Sequence, residues 1–264
     1  MNKQRQLWIL GGLSIVVVAL AWLLPSFSQP ANYHDFADRR SFFGIPNFND
    51  VMSNLGFFFS AAAGIVFLFQ IYRMPVQRSF AHLNESLPYW VLFLSVGMVT
   101  FGSIGYHLAP DNDRLVWDRL PIVIALTALL SATLVERIDR TAGLWALPIM
   151  AILAALSAGY WYWTELQGKG NLNFYIVTQF YSITIILWIS SQFPSRYSHA
   201  NDIYLVIALY GVAKVAEMLD KSIFVWTQGY VSGHTLKHLI AAYAVYRIVQ
   251  MLQQRRVIQP ETVS

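Results

Sequence analysis

Five residues have the types and spacing to do chemistry together: Ser103, His107, Asp118, His234 and His238. His234 and His238 are four apart, so on a helix they stack on one face and two imidazoles can chelate one ion. Ser103 and His107 repeat that spacing in another segment. A catalytic zinc takes three protein ligands and keeps a fourth position for water, and three histidines satisfy that count. Asp118 is then available to orient the water or accept its proton, and Ser103 to hydrogen-bond the water or a developing oxyanion. The chain has no cysteine, which excludes disulfides, thiolate zinc sites and cysteine nucleophiles. Singly, each residue has a plainer role. Interfacial histidines cap helix ends, Asp118 could be an N-cap ahead of Arg119 and Pro121, and Ser103 could be small packing material beside Gly102 and Gly105. The joint arrangement favours the metal site. His34, His82 and His199 are read as loop residues of the plainer kind.

The elements that must position this cluster are membrane helices. Of 264 residues, 56% are hydrophobic and 12% charged, about half the roughly 25% charged content of a soluble domain. Polar groups are expensive in such a chain and mark functional sites by default. Eight apolar stretches are each about long enough to span a bilayer, at 7–24, 51–72, 89–107, 119–135, 143–163, 174–193, 203–222 and 234–252. The expected fold is an all-α, polytopic membrane bundle of seven core helices plus one extra N-terminal helix. Residues 1–30 form an anchor helix and linker, and 31–264 the seven-helix domain. A cleaved signal peptide is the alternative reading of the first stretch. The net charge of +4 is scattered, which excludes a nucleic-acid surface.

Eight spans place both termini on one side. That side holds Lys3, Arg5, Arg73, Arg78, Arg137, Arg140, Arg196, Arg247, Arg255 and Arg256; the other holds Arg39, Arg40, Arg114, Arg119, Lys169 and Lys221. The bias puts the termini in the cytoplasm. His107, Asp118, His234 and His238 then all fall at span ends on the non-cytoplasmic face, a coincidence that nothing in the threading forces.

The set Ser103-x-x-x-His107, Asp118 and His234-x-x-x-His238 resembles the signature of the alkaline ceramidase family. That family lies within a membrane hydrolase superfamily that also includes adiponectin-receptor-like and GPI-lipid remodelling proteins. The segment Asn47-Phe-Asn-Asp-Val-Met-Ser-Asn-Leu55 is similar to the start of that family's first helix, and the resemblance covers about 35–251. It implies seven helices, zinc on His107, His234 and His238, and Ser103 and Asp118 beside the zinc-bound water. It implies hydrolysis of the amide bond of ceramide or a related N-acyl lipid, to a fatty acid and a sphingoid base. More weakly, it implies calcium on Asp35, Asp38 and Asn47, where Arg39 and Arg40 intrude; the alternative is a loop whose aspartates pair with its own arginines. A slow-turnover or non-enzymatic receptor-like member, a metal-free serine triad, a metal transporter, and a hydrolase of another lipid amide or ester stay open. The expected partner is a membrane lipid; no protein partner is expected, and the oligomeric state is left open.

Lys214, Glu217 and Lys221 fall at i, i+3 and i+7 of the seventh stretch and read as an internal ion-paired stripe, with Asp220 off it. Lys237 is expected to snorkel toward headgroups. Ser53 and Asn54 are expected to support a zinc-ligating histidine. Residues 160–163 read as an interfacial aromatic belt.

Overall fold

The computed structural model describes residues 3–73 and 79–258; Arg78 and the last residues of the C-terminal tail lie outside them. The described residues are all-α apart from short 3-10 turns, loops and two isolated bridges, Phe42 to Ile45 and Tyr197 to Val257. The α-helices are α1 (Lys3–Leu23), α2 (Phe48–Ser53), α3 (Leu55–Ile71), α4 (Leu87–Leu108), α5 (Asn112–Arg137), α6 (Arg140–Leu166), α7 (Asn173–Gln192), α8 (Asp202–Met218), α9 (Asp220–Trp226) and α10 (Gly233–Gln254). Six helical segments among them are long and apolar enough to cross a bilayer, as in a multi-pass membrane protein: α1, α2 with α3, α4, α5, α6 and α7. α8 has 17 residues, about 26 Å at 1.5 Å per residue, slightly short of a hydrocarbon core of about 30 Å.

α4 lies against α3 and α5, α5 against α6 and α7, and α10 against α3 and α8. α1 touches chiefly α7 and leaves most of its described side chains exposed, as an outlying helix does. Lipid offers apolar side chains no hydrophobic reward for leaving it, so close backbone approach at small residues holds such helices together. Gly102 carries the closest approach that matters here. A Cβ there would lie 2.1 Å from the Trp117 carbonyl oxygen. Pro121, inside α5, has no N–H to offer that carbonyl, which is four residues back. The carbonyl that lacks its i+4 donor therefore faces a residue with no side chain, and α4 and α5 close where Ser103 and Asp118 sit. Gly233 does the same for α10: a Cβ would meet the Ala216 carbonyl oxygen at 2.1 Å and Asp220 Cα at 2.7 Å.

The short α2 breaks from α3 because side chains compete for a helix carbonyl. Ser53 Oγ at 3.1 Å and Asn54 Nδ2 at 2.7 Å both donate to the Asp50 carbonyl oxygen.

α7 and α8 flank a cavity of about 340 Å³ instead of packing closely on each other. Its wall is mostly apolar, with Ile122, Ile183, Ile186, Val206 and Ile248 along it. Phe180 lines it and is also exposed on the outside of the bundle.

Candidate metal centre

α4 delivers Ser103 and His107, α5 delivers Asp118, and the first turns of α10 deliver His234 and His238. All five are buried. One ring nitrogen from each histidine lies within 4.8 Å of the others, so the three could hold a metal ion. Nε2 of His107 and of His234 are 3.2 Å apart. Two nitrogens each about 2.0–2.1 Å from one tetrahedral ion would be about 3.4 Å apart. His238 bonds Ser53 Oγ through Nδ1 at 2.8 Å, and its buried Nε2 has no partner within the protein. Ser53 Oγ gives its own proton to the Asp50 carbonyl, so it accepts from His238 Nδ1–H, which fixes the tautomer with a free lone pair on Nε2. Orphaned buried nitrogens, all-imidazole donors and this spacing fit a borderline-soft divalent cation.

The start of α10 is pinned from several sides. Ser232 caps it, accepting from Thr235 N–H at 2.9 Å. The Ser232 and Thr235 hydroxyls reach Asp50 Oδ1 at 3.2 and 2.6 Å. Asp220 Oδ1 accepts His234 N–H at 2.8 Å while its Oδ2 accepts Ala37 N–H at 2.9 Å. Phe36, from the segment between α1 and α2, lays its ring 4.7 Å from the His107 ring and 4.7 Å from the His234 ring. Ser103 lies beside the Asp118 carboxylate, and both face the apolar cavity with His238 and Lys237. A second cavity, of about 320 Å³, reaches His234 past Asn32, Asp35, Asp220 and Ser222. The histidines thus stand between a membrane-side cavity and a more polar one.

Several expectations need correcting. Asp118 is no helix N-cap: α5 begins at Asn112, and Asp111 caps it by accepting Arg114 N–H at 2.7 Å. The polar Asn112 and Asp113 hid that first turn from an apolarity count. Lys237 does not snorkel; its Nζ lies 3.0 Å from Glu217 Oε1 and 3.0 Å from His234 Nε2. An ammonium only donates, so His234 Nε2 accepts there with its single lone pair, the same pair an ion at the cluster would take in place of the lysine proton. The i, i+3, i+7 stripe is broken at Leu219: Lys214 pairs with Glu217, but Lys221 turns outward in α9 to Asp35 at 2.5 Å. Asn54 serves the Asp50 carbonyl and supports no histidine. Trp161 belongs to no interfacial belt; it is wholly buried, with the Arg119 guanidinium 4.3 Å above its ring. Arg119 is accordingly buried within the bundle.

The expected calcium ligands also part company. Asp35 is taken by Lys221 and Arg39, and Asp38 by a two-point grip from Arg40 at 2.8 and 2.7 Å and by Asn49 at 2.9 Å. Asn47, in the left-handed region at φ 47°, donates to the His107 carbonyl at 2.8 Å. Calcium needs about six to eight oxygens, and here cations of the protein hold the carboxylates. Burial alone would raise the Asp38 carboxyl; the Arg40 side chain and backbone, with Asn49, outweigh it and hold it below the usual carboxylate range.

Comparison of the chain with protein-family models, with curated proteins and with solved structures finds no match. Sequence reasoning gave no role to Asp50, Phe36 or Asp220's double bond. Each acts through a partner far along the chain, and only the chain's own polarity at span ends hinted at them.

Proposed function

We propose that the chain is a zinc-dependent membrane hydrolase that cleaves the amide bond of an N-acyl lipid, ceramide-like in its architecture. One observation carries this reading: three buried imidazoles converge beside a serine–aspartate pair at the head of an apolar cavity flanked by α7 and α8. His107, His234 and His238 would hold the ion, which when bound supplies an acidified water and a polarised carbonyl. The chain's own groups do the rest. The apolar wall takes the acyl chain, which enters from the bilayer past Phe180. The second cavity brings water from the opposite side. Asp118 takes a proton from the attacking water and delivers it to the amine as the C–N bond breaks, so that amide and water become acid and amine. Ser103 holds the Asp118 carboxylate in place. The Lys237 ammonium, anchored by Glu217, stabilises negative charge growing on the carbonyl oxygen. With the termini in the cytoplasm, this chemistry faces the non-cytoplasmic side.

The test pairs metal content with turnover. Elemental analysis of the purified protein is expected to find about one zinc per chain, and much less in His234→Ala, since one of three ligands is gone. Fatty-acid release from a panel of N-acyl lipids is expected to stop with a chelator and to return with zinc. Unchanged metal content in His234→Ala would falsify the ligand assignment.

A further inference from the structure

Arg119 and Gln29 line the same cavity as Ser103, Asp118 and His238, yet the reaction above gives them no task. Arg119 is 5% exposed and Gln29 9%. Arg119 Nη2 donates to Gln29 Oε1 at 2.6 Å. That bond uses the amide's acceptor and leaves only donors: Arg119 Nη1 and Gln29 Nε2 are buried without a partner in the protein. The rings of Trp161, Tyr33 and Tyr175 surround the guanidinium at 4.3, 5.0 and 5.1 Å. Among the described residues no carboxylate is ion-paired with it. A buried cation wants a counter-charge, and unpaired buried donors want acceptors. A neutral ligand would satisfy only the second demand. A carboxylate or phosphate satisfies both, and a guanidinium fork suits either.

The position fits a headgroup. Arg119 follows Asp118 directly on α5, and Gln29 comes from the segment that covers the outer end of the bundle beside Pro30 and Tyr33. The apolar residues of the cavity, such as Ile186 and Ile248, lie deeper in the helices. We propose that Arg119 and Gln29 form a subsite for an anionic oxygen group, so that the lipid bound here carries an acidic headgroup, unlike neutral ceramide. The subsite deepens the hydrolase reading, on which it rests for the reaction, but the binding it predicts does not need turnover.

The experiment uses the full chain in nanodiscs of uncharged lipid, with a chelator present to stop turnover and to keep a headgroup off any metal. Equilibrium binding is measured for an N-palmitoyl amino acid, an N-palmitoyl aminoethyl phosphate and the uncharged N-palmitoyl aminoethanol. Wild type is expected to bind at least one acidic lipid about tenfold or more tighter than the uncharged one, the scale of a charge-assisted hydrogen bond; the two acidic probes tell carboxylate from phosphate. Gln29→Glu gives Arg119 an internal carboxylate at nearly constant shape, and is expected to abolish that preference with the melting temperature kept or raised. Arg119→Met should abolish it too. Equal affinity for charged and uncharged lipids in wild type, or a preference that survives in folded Gln29→Glu, overturns the proposal. Fatty-acid release is then measured separately on zinc-loaded protein. Preference without release from any lipid upholds the subsite and removes the hydrolase reading. Release without preference does the reverse.

Discussion

Two buried arginines sit at opposite ends of this bundle, each inside three aromatic rings, and they differ in one respect. Arg255, just past α10, lies 4.3 Å from the Phe80 and Tyr197 rings and 5.2 Å from that of Tyr89. Its guanidinium pairs with Glu136 and donates to the Ser79 carbonyl at 2.6 Å. Tyr89 shares the same carboxylate, donating to Glu136 Oε1 at 2.6 Å. Arg119 has a similar cage but only the neutral Gln29 as hydrogen-bond partner. The aromatic faces attract either cation, so they cannot explain the difference. The carboxylate does. Around Arg255 the charge is answered within the chain, and the cluster ties the ends of α5 and α10 to the turn before α4. Around Arg119 the charge is left facing a cavity. One cage is a joint and the other a receptacle.

The comparison breaks most readily at Glu136. Glu136→Gln strands the Arg255 charge in a buried place and is expected to cost about 3–5 kcal/mol in denaturation experiments. Arg119→Met removes a charge that makes no ion pair and acts on the Asp118 carboxylate only through space, so its cost should be clearly smaller. Equal costs for the two variants would mean that Arg119 is a structural joint as well. A smaller effect is expected at the histidine cluster. Ser53→Ala leaves His238 Nδ1–H without its acceptor and should weaken metal binding by about 10–100-fold, read by competition with a metal indicator, while the fold persists. The smallest concerns the loop between α1 and α2, where Asp38 and Arg40 hold the chain against the Tyr230 carbonyl. The folded Asp38 carboxyl is held below its usual range, so its contribution is present above about pH 4, the unfolded value, and is lost as pH falls through the lower folded value. The hydrogen-exchange protection of residues 36–41, corrected for the intrinsic rate at each pH, should fall on acidification, and Asp38→Asn should abolish that dependence.

How much of this was legible in the sequence depends on the range of each interaction. Helices show as long apolar runs, so α3 to α7 and α10 were visible within a few residues. The start of α5 was not, because Asn112 and Asp113 are polar residues of a first turn that Asp111 caps from its side chain. The histidine cluster was visible because His234 and His238 are four apart, and because threading puts His107 at the same face. The destination of Lys237 was not. A lysine on a membrane helix reads as a snorkelling cation unless Glu217, twenty residues away, is known to face it. The calcium expectation failed for a similar reason. Asp35 and Asp38 have the right chemistry for calcium, but Lys221, 186 residues further on, and Arg40 reach them in the fold.

Composition and periodicity alone determined that this chain is a helical bundle with helices apolar enough to cross a membrane, and that imidazole rather than thiolate is what it could offer a metal ion. Both follow from local chemistry: an apolar run must satisfy its backbone within a helix, and a chain without cysteine has few soft donors left. The tertiary structure decided which charges are answered and which stay open. Ser53 meets His238 across 185 positions and Gln29 meets Arg119 across 90. A contact between side chains so far apart has no period and leaves no trace in the order of residues. It exists only once Gly102 and Gly233 have let the helices close.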